Sequence, residues 1–238
     1  MYLFYDINQL KPQRMRTFIL SLLTIAVLSC GTNRAIYQSP DFEQKTARHK
    51  TVAILPVQVI QTGHVPKDVT EADVKNAAEK WGFVSQESLQ TYILKQTAKN
   101  KNGQVVSFQA TQKTNSLLKE QQLAIEDLYG KQPEEIARLL GVDAVIMTTL
   151  SHNRNFSDGV AYGLAAARTI ANVVSRTPVI TPGMDAANVN INCALYDAKD
   201  SKLLWKTFRD GGTDLPANVA ELIEHYSNWI AKKLPYKS

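Results

Sequence analysis

The chain has few of the residues that usually signal a particular chemistry. It contains two cysteines in 238 residues, Cys30 and Cys193. Its four histidines, His49, His64, His152 and His225, have no metal-ligand spacing among themselves, and no cysteine joins them. There is no Gly-x-Ser-x-Gly elbow, no phosphate loop ending in Gly-Lys-Ser/Thr and no Gly-x-Gly-x-x-Gly turn. No dense Lys/Arg block interleaved with aromatics occurs, so the net charge of +5 is no argument for nucleic acid. No apolar run reaches the roughly 20 residues that a membrane-spanning helix needs. These absences leave no cofactor, metal or small-molecule substrate to name.

The informative stretch is Met15 to Gly31. Arg16 supplies a positive start, Phe18 to Leu28 is an apolar run, and Val27-Leu28-Ser29-Cys30 follows. The apolar run is of signal-peptide length and too short for a span. The tetrapeptide resembles the bacterial lipoprotein box, in which an aliphatic residue, any residue and a small residue precede Cys. That resemblance implies removal of residues 1–29, a diacylglycerol on Cys30 and acylation of the new amino terminus by a chain such as palmitate. Several acyl chains, at about 0.8 kcal/mol per buried methylene, hold a domain firmly to a membrane. Residues 1–14 carry Asp6, unusual ahead of a signal, and Met15 is the expected true start. Cleavage removes Lys11, Arg14 and Arg16 with Asp6, which lowers the net charge from +5 to +3. With Cys30 lipidated, Cys193 has no disulfide partner, and its place in an alternating apolar pattern reads as a small buried hydrophobe.

Gly31 to Lys50 is polar and aperiodic, so residues 30–50 read as a lipidated cysteine followed by a flexible linker. These twenty residues reach at most about 70 Å and as a coil average about 25 Å. Residues 51–238 then read as one α/β domain. Thr51 to Ile60 is the first strand, apolar on both faces from Val52 to Leu55, with Pro56 marking a bulge or an edge. Gln61 to Val69 reads as a loop. Thr70 and Asp73 open a helix running to about Asn100, with a break near Gly82 and a packing face at Leu89 and Ile93. Val105 to Phe108 is a short strand. Asn115 to Tyr129 reads as one polar helix ended by Gly130.

The clearest fold signal is Pro133 to Leu150. Pro133, Glu134 and Glu135 suit a helix start. Ile136, Leu139 and Leu140 form its buried face, Gly141 suits a left-handed cap, and Val142 to Leu150 is a strand. Asn153 to Asn188 is rich in small residues and prolines and reads as an excursion between strands, with interaction as its purpose. Within it Gly159, Tyr162, Arg168 and Met184 are the candidate contact residues. Val189, Ile191, Cys193 and Leu195 alternate inward along the next strand. Asp197 to Ser201 is a turn, and Lys202 to Phe208 is the returning strand. Val219, Leu222, Ile223, Tyr226 and Ile230 line a final helix closed by Lys232, Lys233 and Pro235.

Possible acid–base pairs read as structural. Asp197 and Asp200 belong to the turn, and Asp143 follows a helix stop. Glu224 and His225 are adjacent on a helix, where neighbours do not face each other. A non-enzymatic role is expected.

Lys50 to Val57, Ala137 to Ile146 and Leu195 to Trp205 together resemble a group of envelope lipoproteins. The group includes the curli secretion-channel lipoprotein, the activator lipoproteins of penicillin-binding proteins, and related lipoproteins of unknown function. Ser201 stands where the group usually has Gly. The resemblance implies an α/β sandwich, a mixed sheet with packed helices like the amino-terminal domain of the Tol–Pal translocation protein. It also implies a membrane-anchored periplasmic lipoprotein that acts by protein–protein contact in envelope biogenesis or secretion, or a homo-oligomeric, curli-channel-like secretion component. Gly31, in place of an Asp after Cys30, favours the outer membrane. The implied partners are the membrane, through Cys30, and either another envelope protein or further copies of the chain.

Overall fold

A computed structural model describes residues 34–63, 69–98, 106–154, 188–211 and 219–236. Among these residues seven strands form one mixed sheet, accompanied by six helices, which is the expected α/β layered class. The strands are β1 (Arg34–Gln38), β2 (Thr51–Ile54), β3 (Gln58–Gly63), β4 (Ser107–Phe108), β5 (Ala144–Arg154), β6 (Asn188–Asp197) and β7 (Leu203–Gly211). The helices are α1 (Phe42–Thr46), α2 (Glu71–Thr97), α3 (Thr111–Glu120), α4 (Ile125–Gly130), α5 (Pro133–Leu140) and α6 (Val219–Lys233).

The sheet runs β1-β7-β6-β5-β2-β4, and β3 continues beside β5 beyond β2. β5 is parallel to β2 and β3 and antiparallel to β6, and β7 is antiparallel to β6 and β1. Central strands of such a sheet are covered on both sides, which is why Val52, Ala53, Ile54 and Leu55 are all buried. One face, with Val52, Ile54, Ile146, Cys193 and Leu195, packs with Leu89 and Ile93 of α2 and Leu222, Tyr226 and Ile230 of α6. The other, with Ala53, Leu55, Val145 and Met147, packs with Leu118, Leu128, Ile136 and Leu140 of α3, α4 and α5. The inward alternation expected on β6 is present, and so is the buried face expected on α6.

Several expectations are corrected. Residues 34–50, read as part of a flexible linker, belong to the domain: β1 pairs along β7, and α1 is anchored by the buried Phe42. The segment shows no apolar period because Ile36, Tyr37 and Gln38 are all exposed on this edge strand. The single strand expected over Thr51 to Ile60 is two. Ile54 faces Ile146 and Gln58 faces Thr149, so four steps on one strand oppose three on the other, a bulge centred on Pro56. Part of the loop expected from Gln61 is strand, since β3 runs on to Gly63. Asn115 to Tyr129 is not one helix: α3 ends at Glu120, Gln122 turns left-handed at φ +55°, and α4 restarts at Ile125. The Asp127 carboxylate accepts the Ala124 N–H at 3.3 Å and helps that restart.

Gly82 does not break α2, which is continuous from Glu71 behind a Thr70–Asp73 capping box. The residue is needed for close approach. Its carbonyl accepts the Val57 N–H at 3.1 Å, and a Cβ there would lie 2.4 Å from the Val57 carbonyl oxygen. Gly141 adopts φ +66°, the left-handed cap expected after Leu140. β5 and β6 are paired as far as Asn153 and Asn188, so the expected excursion joins two antiparallel neighbours. Its residues 155–187 lie outside the described ones.

Candidate functional site

Among the described residues a buried polar cluster joins three distant parts of the chain. His49 ends the α1 segment, Asp197 ends β6, and Tyr236 follows α6. All three are buried, at 5%, 3% and 5% exposure. His49 Nδ1 lies 2.6 Å from the Tyr236 hydroxyl, and His49 Nε2 lies 3.8 Å from Asp197 Oδ2, too far for a hydrogen bond. Around them Lys45 bonds Asp200 and stands 3.5 Å from Asp197 Oδ2. Lys202 bonds Asp41 at 2.6 Å, and Ser39 bonds the same carboxylate.

Burial determines the charge states. It lowers the His49 pKa below the usual imidazole value, against the opposing pull of Asp197 and Asp143. It raises the Tyr236 pKa, and the same two carboxylates raise it further. A neutral imidazole facing a carboxylate on its Nε2 side keeps its proton there. Nδ1 is then an acceptor, and the Tyr236 hydroxyl donates to it. The Lys202 ammonium and the Ser39 hydroxyl hold the Asp41 carboxyl down at about 2. Lys45 does the same in direction for Asp200.

An Asp–His–Tyr sequence resembles a proton relay, but every member is enclosed. The arrangement can clasp the amino-terminal segment, the β6–β7 turn and the carboxyl terminus together. Asp197 and Asp200 are turn residues, as expected: Asp197 accepts the Lys199 N–H at 2.8 Å and Asp200 accepts the Lys202 N–H at 3.2 Å. Asp143, also expected to be structural, accepts the Lys50 and Thr51 N–H groups at 2.8 and 2.9 Å. Glu224 and His225 are both exposed and have separate partners, Tyr92 for Glu224 and, at 2.7 Å, Arg209 for His225. The Cys193 thiol is buried against Thr148 Oγ1 at 3.2 Å, and burial pushes it up to about 12. Among the described residues no group of three or more His, Cys, Asp or Glu could hold a metal.

Two further side chains carry the architecture. The Tyr129 hydroxyl fills the Pro56 bulge, accepting the Thr148 N–H at 3.0 Å and the Gln58 N–H at 3.3 Å. It donates to the Thr148 carbonyl at 2.6 Å, with the Pro56 carbonyl at 3.0 Å. Ser201 adopts φ +54°, a conformation that favours Gly, and its hydroxyl accepts the Glu134 N–H at 3.0 Å, capping α5 from the β6–β7 turn.

The residues singled out in the sequence, Cys30, Gly159, Tyr162, Arg168 and Met184, lie outside the described residues. The clasp was not legible in the sequence. His49 lies in an aperiodic stretch and Tyr236 beyond a helix stop, and only tertiary contact brings them to Asp197.

No family model matches the chain, and neither does any curated protein. Solved structures with a loosely similar fold include the lipoprotein GNA1162 from Neisseria meningitidis, 13% identical, covering 78% of this chain and 97% of that one, at a TM-score of 0.40. A PelC dodecamer from Paraburkholderia phytofirmans is 12% identical, covering 87% of this chain and 97% of that one, at 0.38. The LpoB carboxyl-terminal domain from Salmonella enterica is 13% identical, covering 68% and 82%, at 0.35. Likenesses this loose assign neither a family nor an activity.

Proposed function

We propose that this protein is a lipid-anchored periplasmic lipoprotein that works by protein–protein contact in envelope biogenesis or secretion, without catalysis. The observation that carries the reading is Val27-Leu28-Ser29-Cys30 behind Arg16 and an apolar run of signal-peptide length. No helix among the described residues is long and apolar enough to cross a membrane. The outer membrane is the favoured site. The test is growth on labelled palmitate followed by membrane flotation. The wild-type chain takes up label and floats, and Cys30→Ala does neither. A Cys30→Ala protein that still carries label and floats removes the reading. Crosslinking in cells then identifies the protein partner.

A second reading, a homo-oligomeric secretion-channel component, is favoured by one feature. The 155–187 connection is inserted between strands that already pair as antiparallel neighbours. A tight hairpin would suffice there, and a long excursion at such a place is usually functional. Native mass of the lipidated protein in mild detergent separates the readings. A large ring supports the channel, and a monomer or small oligomer excludes it.

A further inference from the structure

β1 is both an edge of the sheet and the first described element after Cys30. Only Gly31, Thr32 and Asn33 separate Cys30 from Arg34. Four Cα–Cα steps reach at most about 14 Å, far less than the linker inferred from composition. A lipid on Cys30 therefore keeps the start of β1 close to the bilayer.

The edge itself is unusual. Edge strands of soluble domains are normally shielded by charge, proline, bulges or a covering element. β1 instead presents Ile36 at 50% and Tyr37 at 45% exposure. Neighbours on a strand point to opposite faces, so the two side chains straddle the edge. Ile36 stands opposite Thr207 and Tyr37 opposite Lys206. Tyrosine is favoured at headgroup depth, where its ring is shielded and its hydroxyl stays wet. Lys206, opposite Tyr37 on the neighbouring strand, places a cation beside this edge, which suits anionic headgroups. The other end of the strand order, β4, is five positions away, about 24 Å at ordinary strand spacing.

Resting on the lipid-anchor reading of Cys30, we propose that the β1 edge lies against an anionic bilayer surface. Ile36 and Tyr37 sit at headgroup level, the sheet stands edge-on, and β4 points away from the membrane.

The test uses the full-length lipidated protein in vesicles of phosphatidylethanolamine and phosphatidylglycerol with a fraction of nitroxide-headgroup lipid. A fluorophore is placed at Gln38→Cys on β1 or Ser107→Cys on β4. Both positions are exposed, whereas the native Cys193 is buried and does not compete for label. Because quenching falls steeply over the strand-order distance, Gln38→Cys should be quenched about threefold or more relative to Ser107→Cys. Adding Ile36→Ser and Tyr37→Ser should cut quenching at Gln38→Cys while the protein still floats with the vesicles. Equal quenching at the two sites overturns the edge-on placement. So does self-quenching at Gln38→Cys that rises with protein density, since it would assign β1 to pairing between copies. A chain that does not float, or a Cys30→Ala chain that floats as well as wild type, removes the lipid anchor itself, and with it the tether.

Discussion

Replacing Tyr129 with Phe removes one oxygen atom and keeps the ring. That oxygen sits in the gap left by Pro56, where β2 and β3 bulge away from β5. It accepts from the Thr148 and Gln58 N–H groups and donates to the Thr148 carbonyl. Proline has no N–H to offer, so the sheet cannot close this gap by itself. Burial raises the Tyr129 pKa, as expected for a hydroxyl enclosed by protein. In the Phe variant at least one buried backbone donor loses its partner, and the Thr148 carbonyl loses its best one. At about 1–3 kcal/mol for each unsatisfied buried group, the expected loss is about 2–4 kcal/mol. With a urea m-value of about 2 kcal/mol/M, the midpoint should fall by about 1–2 M at unchanged slope. The matched control is Tyr37→Phe, whose ring is half-exposed on the edge strand and which should stay within about 0.5 kcal/mol of wild type. A Tyr129→Phe midpoint indistinguishable from that control would refute the view that this hydroxyl closes the bulge.

Three further outcomes are expected. The folded-state pKa of His49 is lowered, so below the ordinary imidazole pKa of about 6.5 the unfolded chain binds the extra proton first. Its contribution to stability is therefore complete above that pH and is lost as pH falls toward the depressed folded value. Urea midpoints measured between neutral and mildly acid pH should drop less for His49→Gln than for wild type, and parallel curves would contradict this. Gly82→Ala places a Cβ 2.4 Å from a backbone oxygen and 2.9 Å from Ile125 Cδ1. Because backbone must move, a loss of about 2–4 kcal/mol should appear in thermal unfolding. At Ser201, Gly relieves the positive φ but loses the cap on Glu134, whereas Ala loses the cap and keeps the strain. Ser201→Ala should be less stable than Ser201→Gly by about 1 kcal/mol in the same assay, and the reverse order would be wrong for a left-handed residue.

The parts of this protein that were readable from residues are those set by local periodicity and end chemistry. Pro133, two glutamates, an apolar face and Gly141 define α5 within a dozen residues, and both the helix and its left-handed cap are present. β6 alternates because one of its faces meets the core on every second residue. Pro56 marks a bulge or an edge because a missing N–H is a property of one residue, and the structure has the bulge. The α/β layering follows from these elements in order. Tertiary structure decided the rest. β1 carries no apolar period, and its identity as a strand comes from hydrogen bonds to β7, late in the chain. Gly82 looked like a helix break and is instead a place where two backbones touch, which depends on where β2 and β3 lie. His49, Asp197 and Tyr236 have no common spacing, because the two contacts that unite them, His49 with Tyr236 and His49 with Asp197, close loops of different length. The lipid anchor is the converse case: a processing signal is read by an enzyme along an extended chain, so its chemistry is written in consecutive residues and needs no fold.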